Sequence, residues 1–576
     1  MGTLKLCVAR RNPLSHMFHK SSRQCRRGLA AAFFALGAVL WASSADADPG
    51  SVAFSQSASS VEAYDFVEVT VTVSQPDVEN PFVDASVSGQ FSVAGADPTP
   101  VAGFCDSPDG SVYRIRFMPA RPGHYRYAIA YQEGAYHKES TGSFEAVDGQ
   151  RSGILRVDEH HPWHFVWEGT GEHYFWNGTT AFFLMAWTSD DQVRAIVERL
   201  HSLKVNRIRT LLTGRWATSA GEPVVPEKGY SPWLNPWVAA RPESTDDPGF
   251  DYARFNVAYY QRWERMLAYA RSEDMVISII LDWNDSKVHP AALSDDERRY
   301  YSYTAARLGA FSNITWDLGD DISSFRSLAW SHETGSLLVD RLDPYHHLAS
   351  DHPVDNTQQD RASAWFGFTS FEQWTRPIHG WMLDERRQQA ATGRIIPQTD
   401  EEYGYEDHYP RWSPNYPDGQ SADADRRAAW EIAMAGGYQT TGETAKRGTG
   451  VWPDTGGGWV NGRGDNTMTM LRGYAHMADF FTSFAWWLTN PDDSLVTAGD
   501  YCLADPGKTY VIYLPKGGAA TVKLEPGSYR ASWFNPRSGQ TIALPDAVAA
   551  VYDRRVHWTS PVTPDAGDWV ALLQRR

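Results

Sequence analysis

Carboxylates interleaved with aromatics recur where short apolar runs of this chain end, and two such endings hold groups able to act as acid, base or nucleophile. The sharper is Pro397-Gln-Thr-Asp-Glu-Glu-Tyr-Gly-Tyr-Glu406, which continues the apolar run Arg394-Ile-Ile-Pro397. The other lies upstream in Asn313-Ile-Thr-Trp-Asp-Leu-Gly-Asp-Asp321. A proton donor paired with a nucleophile or base is what cleavage of a glycosidic bond requires. Glu402 is the candidate in the first cluster, with Glu401 and Glu406 as rivals, and Asp321 or Asp320 in the second. The competing roles are a strand-end salt bridge for Glu402 and helix capping before Ser323 for the two aspartates.

Further polar and aromatic residues sit at comparable positions. Leu281-Asp-Trp-Asn-Asp285 offers Asp282 and Asn284 to sugar hydroxyls and Trp283 as a stacking surface. Arg207, Arg209 and Arg215 surround another run, where a guanidinium either orients a carboxylate or pairs with a neighbouring acid. His352, in Asp351-His-Pro353, is a hydrogen-bonding candidate. Trp365, Tyr403, Tyr405, Glu443 and Trp452 complete the candidate binding residues. Acids together with His289 and His352 raise the question of a metal, but the regular Asp/Asn spacing of an oxygen-ligand loop is missing. Neither metal nor cofactor is expected.

These endings must be carried by a large scaffold. With 576 residues the chain exceeds one core and should divide into several domains. Its first 47 residues read as a signal peptide: Arg23, Arg26 and Arg27 precede the apolar run Gly28 to Trp41, and Ala45-Asp-Ala47 offers the cleavage site. Fourteen apolar residues are too few to span a bilayer comfortably, so the expectation is a secreted or periplasmic protein starting at Asp48. The leader holds seven Lys and Arg against one acid, which takes the formal charge from −17 for the whole chain to −23 without it. So acidic a surface argues against nucleic acid and anionic membranes as partners. Oligomeric state is open. Twenty-four Trp and 13% aromatics are generous even for β-sandwich cores and suit stacking on sugars. Only Cys105 and Cys502 follow the leader, in different regions, and two unpaired buried thiols are expected.

Residues 52–148 alternate with period two, as in Val67-Glu-Val-Thr-Val-Thr-Val73 and His124-Tyr-Arg-Tyr-Ala-Ile-Ala-Tyr131, and read as an Ig-like β-sandwich. Residues 153–488 alternate short apolar strands with amphipathic helices. Strands are expected at Ala181 to Trp187, Val205 to Leu212, Met275 to Leu281, Ile314 to Leu318, His347 to Ser350, Ala364 to Phe368, Gly393 to Thr399 and Gly437 to Thr440. Helices are expected at Asp190 to Leu203, Asp251 to Ser272, Asp295 to Leu308, Phe325 to Leu342, Gly380 to Thr392 and Asp423 to Ala435. Eight strands separated mostly by helices predict a (β/α)8 barrel with its site at the strands' C-terminal ends. Residues 491–576 return to period two and predict a C-terminal all-β domain.

Trp316-Asp-Leu-Gly-Asp-Asp321 and Pro397 through Glu406 resemble the acid/base and nucleophile strands of retaining (β/α)8 glycoside hydrolases, most closely the apiosidase-like and "putative collagenase" barrels. The flanks agree, since Tyr510-Val-Ile-Tyr-Leu-Pro515 and Trp533-Phe-Asn-Pro-Arg-Ser-Gly539 look like the collagen-binding type of domain that closes them. The resemblance implies Glu402 as nucleophile and Asp321 as acid/base. It also implies a carbohydrate substrate, with furanoside or branch-sugar linkages of a plant, algal or bacterial polysaccharide favoured. One departure is visible: members usually carry Glu where this chain has the shorter Asp321. That departure supports the alternative of a noncatalytic carbohydrate-binding protein on a degenerate barrel.

Overall fold

The computed structural model describes residues 49–214, 229–231, 234–242, 244, 247–284, 288–406, 420–443, 458–464, 469–496, 501–549 and 556–576. The leader, Arg215, Asp285 and Trp452 lie outside them. No helix among the described residues is long and apolar enough to cross a membrane.

An eight-stranded parallel sheet forms the centre. In chain order its strands are Asn177–Thr180, Arg207–Leu211, Val276–Ile280, Ile314–Asp317, Ala349–Ser350, Thr369–Glu372, Gln398–Glu402 and Tyr438–Thr441, numbered one to eight below. The hydrogen-bonded order runs five, four, three, two, one, eight, seven, six. A parallel bridge between Ala349 and Phe366, just before strand six, nearly closes the ring. The helices between strands are α1 Asp190–Ser202, α2 Val257–Ser272, α3 Asp295–Leu308, α4 Leu328–Leu337, α5 His379–Ala391 and α6 Ala422–Met434. Ser189, Asn256, Ser294, Ser327 and Ser421 cap five of them, each accepting from a backbone N–H two residues inside the helix.

Three strands lie elsewhere than the apolar pattern predicts. Strand one is the polar Asn177-Gly-Thr-Thr180, while Leu184–Ala186 of the predicted run is a buried 3-10 turn. Its buried amide is satisfied, because Asn177 Nδ2 donates to the Lys204 carbonyl and Gln439 Nε2 donates to Asn177 Oδ1. A side chain at Gly178 would meet Thr440 Oγ1 at 2.4 Å, so glycine is what lets strand eight come this close. Strand six begins after Phe368, and strand seven runs from Gln398 to Glu402. In both, the apolar run precedes the strand, with Trp365, Phe366, Phe368 and Ile396 buried, whereas the polar residues after it make the parallel ladder. Part of the predicted second helix, Phe250–Phe255, is instead a strand paired with Trp237–Ala239.

The N-terminal region forms two sheets, with Val67, Val69, Val71 and Val73 facing inward as their alternation predicts. It docks on the barrel through buried charge. Arg307 on α3 reaches Asp106 Oδ1 at 2.5 Å and Glu264 Oε1 at 2.6 Å, while Arg116 joins Glu68 and Glu264 at 2.8 and 2.9 Å. The C-terminal all-β region is tied to α6, where Arg426 pairs with Asp568 at 2.8 Å and Trp430 stacks on Tyr513 at 5.5 Å. Cys105 and Cys502 are both free and buried.

Removing one member of a buried charge cluster strands the others. Asp106→Ala, which leaves the fully buried Arg307 side chain short of a partner, is expected to destabilise the protein by about 3 kcal/mol. The urea midpoint compared with wild type checks this, and an unchanged midpoint would mean the docking charge is dispensable.

Candidate functional site

Arg209 occupies the centre of the barrel mouth. Its position on strand two points it inward, and with no exposed side-chain surface it must be satisfied by protein. Its Nε donates to Asp317 Oδ2 at 3.1 Å and lies 3.2 Å from Glu401 Oε2, Nη1 donates to Glu402 Oε1 at 2.9 Å, and Nη2 donates to Asp320 Oδ1 at 2.7 Å. One turn of the pleat below, Arg207 pairs with Glu401 at 2.7 Å and lies over the Trp176 ring at 4.0 Å. Both arginines are therefore committed to barrel acids, the alternative role that their sequence context allowed.

Glu401 and Glu402 are consecutive, so a regular strand would send them to opposite faces. The ladder between strands six and seven is irregular here: Phe371 pairs with Asp400, and Glu372 then pairs with Glu402, skipping Glu401. Such a bulge re-aims side chains, and both glutamates reach Arg209. The same irregularity sets Glu372, at the end of strand six, beside Glu402. Glu372 Oε1 accepts from Trp374 Nε1 at 2.7 Å.

Asp320 and Asp321 follow strand four. Asp320 is almost fully buried and held by Arg209. Asp321 is partly exposed, stands in the left-handed region at φ 52°, and accepts from Asn284 Nδ2 at 3.3 Å. It makes no side-chain cap to the short turn that follows, so helix capping does not explain it. His352, after strand five, is fully buried; its Nδ1 bonds Ser370 Oγ at 3.0 Å and its Nε2 faces Glu402 Oε1 at 3.6 Å. Tyr405 lies alongside Glu402; burial and then the Glu402 charge push the phenol up, and its ring meets Trp374 edge to face at 5.7 Å.

The remaining predicted residues take other positions. Asp282 is buried against Arg326 at 3.3 Å, and its carbonyl accepts from the Asp320 N–H at 3.1 Å, so it buttresses the strand-four loop. Trp283 packs edge to face on Phe183 at 5.8 Å. Tyr403 bonds Gln439 Oε1 at 2.9 Å and the Tyr474 hydroxyl on the helix Met470–Thr482. Glu443 forms a two-point pair with Arg199 of α1, its Oε2 at 2.9 Å from Arg199 Nη2. Trp365 is buried against Gly335 of α4 and donates to Asp360 at 3.0 Å, outside the mouth. Asp317, Glu372 and Trp374 belong to the site but were not singled out from sequence. Asp317 lay in view within Trp316-Asp-Leu-Gly-Asp-Asp321, whereas Glu372 and Trp374 were hidden by the misplaced sixth strand.

Two sets of donors, Asp320/His352/Glu402 and Asp321/His352/Glu372, each have atoms within 4.8 Å of one another, a spacing a cation can bridge. In the first set the Arg209 guanidinium already supplies positive charge to both carboxylates. In the second, one oxygen of each acid takes a neutral N–H donor.

Burial is the largest influence on Asp317, Asp320, Asp321, Glu372 and Glu402. It lifts Asp317 and Asp320 to about 7 against the pull of Arg209, and Glu372 to about 7 despite the Trp374 bond. Asp321 rises to about 6, through burial and then the charge of Glu372. Glu402 is pushed well up by burial and Asp320, with Arg209 opposing. Asp282 and Asp351, buried nearby, are also lifted to about 7. His352 is held neutral by burial beside Arg209 and Arg207.

These raised values fix the direction of the stability profile. Between about pH 4, where such acids ionise in an unfolded chain, and about 7, where they ionise in the fold, only the folded state holds their protons. Stability from this source is fully present below pH 4 and is lost as pH rises through 7. The strongly depressed acids Asp343 and Asp565, at about 2, act only below that window. Melting temperature is therefore expected to fall by several degrees between pH 5.5 and 8; a flat or rising profile would contradict the protonated cluster.

Residues 162–444 match the model of the "Apiosidase-like, catalytic domain" family. Residues 60–132 match a domain of unknown function and residues 491–574 the "Putative collagen-binding domain of a collagenase". No curated protein sequence matches the chain. Among solved structures, a "putative glycoside hydrolase" from Bacteroides vulgatus ATCC 8482 is 21% identical with TM-score 0.75, covering 90% of this chain and 100% of that one. A protein described as "Glycoside hydrolase" is 16% identical with TM-score 0.56, covering 74% and 97%. A glycoside hydrolase family 5 protein from the same Bacteroides strain is 15% identical with TM-score 0.55, covering 74% and 93%. At these identities the structural likeness is one of fold.

Proposed function

We propose that this chain, a glycoside hydrolase whose residues 162–444 are an apiosidase-like catalytic domain, cleaves its substrate with retention, Glu402 attacking the anomeric carbon and Asp321 protonating the leaving oxygen. The observation that carries the assignment is the contrast between the two aspartates after strand four. Asp320 is buried and fastened to Arg209 at 2.7 Å, so it is a partner of Glu402. Asp321 is partly exposed, forms no ion pair with a cation among the described residues, and is lifted to about 6, which suits a group that gives up a proton near neutrality. Glu402 is the acid that Arg209 steadies at the inner wall, beside Tyr405.

In the first half-reaction Glu402 reacts as the carboxylate, the proton it shares with its hydrogen-bonded neighbour Asp320 resting on Asp320, and forms a bond to the anomeric carbon while the glycosidic bond breaks and the Asp321 proton passes to the departing oxygen. In the second, the Asp321 carboxylate takes a proton from water, whose oxygen displaces Glu402. Both cationic side chains described in the barrel interior are occupied by acids, which favours an uncharged sugar at the cleavage point. A furanoside or branch sugar of a plant, algal or bacterial polysaccharide is the proposed substrate, and export through the N-terminal leader the proposed route to it.

The test is product release from a polysaccharide and aryl-glycoside panel. Glu402→Gln is expected to lower turnover roughly 10⁴-fold or more. Asp321→Asn should lose roughly 10²- to 10⁴-fold on natural linkages while keeping far more activity on aryl glycosides with activated leaving groups. The first-formed sugar should keep its anomeric configuration by NMR. Inverted product would overturn the nucleophile, and binding without turnover in all three proteins would establish the noncatalytic alternative.

A further inference from the structure

Glu372 has no role in the two-carboxylate scheme, yet the fold spends several contacts on holding it. Its backbone N–H donates to Asn356 Oδ1 at 3.1 Å and its carbonyl accepts from Asn356 Nδ2 at 2.7 Å, so one amide clamps the peptide on both sides. Trp374 Nε1 fixes Oε1 at 2.7 Å. The other oxygen, Oε2, is buried and has no hydrogen-bond partner among the described residues. Leaving a buried carboxylate oxygen unbonded is unfavourable, and in a native structure it calls for an explanation. The strand-six irregularity sets this group beside Glu402, and one of its oxygens lies within 4.8 Å of an Asp321 oxygen and of a His352 ring nitrogen.

We infer that Glu372 is a positioning residue for the proton of Asp321: the two carboxyl groups, held within 4.8 Å of each other, share one proton, which the pair retains to higher pH than Asp321 would alone and which Asp321 delivers to the leaving oxygen. This rests on the proposed role of Asp321 as acid/base and extends it. Two carboxylates this close do not both ionise readily, because each raises the proton affinity of the other. The groups around the pair fit. Asp320 after strand four and Asp400 and Glu402 on strand seven crowd the pair with further buried acids, themselves pushed up by burial, His352 after strand five is held neutral, Tyr405 stays a phenol, and Asp282 after strand three faces Arg326. Arg209 on strand two is the cation that faces them, and it is already divided among four acids. No cation competes for Glu372 itself among its described contacts; Trp374 and Asn356 are neutral donors. The arrangement also bears on the short Asp321, since an aspartate has less reach and gains from a neighbour that secures its proton.

Glu372→Gln removes the charge and keeps the shape, with Oε1 still able to accept from Trp374. Two readouts follow, one of which needs no substrate. Carbodiimide labelling of Asp321 in the full-length protein, followed by peptide mass spectrometry across pH, should show its titration midpoint falling by about one pH unit in Glu372→Gln. With any substrate the wild type turns over, the alkaline limb of kcat/KM should shift to lower pH by a similar amount, with KM little changed. Glu372→Asp, which restores the charge, should move the midpoint back toward wild type. An unmoved Asp321 midpoint in a folded Glu372→Gln overturns the inference. So does a rise in KM with an unmoved limb, which would make Glu372 a sugar contact. Activity on activated aryl glycosides retained while natural linkages fail would make Glu372 the donor itself, again overturning it. The acid/base assignment fails separately, if Asp321→Asn leaves turnover of natural linkages intact.

Discussion

A single guanidinium that cannot reach water organises the mouth of this barrel. Arg209 has no exposed side-chain surface, and four carboxylates converge on it from strands four and seven. Desolvating an arginine is unfavourable by several kcal/mol unless its donors are met, and desolvating acids is equally so. The two requirements are satisfied only by each other. Among the described residues the positive charge is insufficient for all of the acids: even with Arg207 there are two cations for Asp317, Asp320, Glu401 and Glu402, before Glu372 and Asp321 are counted. The remainder must carry protons, which is why burial lifts so many of them toward neutrality. A reserve of exchangeable protons next to a well-held carboxylate is the electrostatic condition for acid and nucleophile to coexist in one pocket.

The backbone devices around the mouth follow from that constraint. A regular strand seven would offer one glutamate to the interior and send its neighbour to the helices. The irregular pairing with strand six turns Glu401 and Glu402 inward together and sets Glu372 beside them. Polar strand one serves the same end differently. Its buried asparagine bonds Gln439 on strand eight and the Lys204 carbonyl in the turn before strand two, and Gly178 makes room for Thr440. Outside this layer, the barrel rests on apolar packing of the usual kind and on charge clusters that fasten the flanking β regions to α2, α3 and α6.

The architecture was legible because it is written in periodicity. Val67 to Val73 alternate and form a sandwich strand, and the helix expected at Asp295 to Leu308 is α3. The two acid-bearing endings, Trp316 to Asp321 and Gln398 to Glu402, were legible as chemistry for the same reason, since carboxylates directly after apolar runs have few structural uses. What escaped was displacement of the ladder relative to the apolar run. In strands one, six and seven the most apolar residues lie just outside the hydrogen-bonded segment, so a search for apolar strands stops short and Glu372 falls into a presumed loop. Trp365 reads from sequence as a candidate binding residue because of the same shift. Its place against Gly335 shows that its run packs outward on α4. Glu443 could not be told from a rim acid, because its partner Arg199 lies on a helix far earlier in the chain.

The strained backbone of Asp321 connects the electrostatics to the chemistry. A non-glycine residue at φ 52° is disfavoured by about 1–2 kcal/mol, and the conformation persists because both sides are pinned. The Asp320 N–H donates to the Asp282 carbonyl at 3.1 Å, and the Ile322 N–H donates to the His352 carbonyl at 2.9 Å. Buried Asp282 and His352 thus hold the loop through their main chains. The turn separates the side chains of two adjacent aspartates that would otherwise compete for Arg209. Asp320 drops into the interior and completes the guanidinium's shell, while Asp321 stays at the partly exposed rim within reach of Asn284 and Glu372. Relaxing that turn would let both acids approach the same cation and ionise together. The left-handed residue is therefore what keeps one acid paired and the other protonated, and the division of roles between them depends on backbone geometry as much as on side-chain identity.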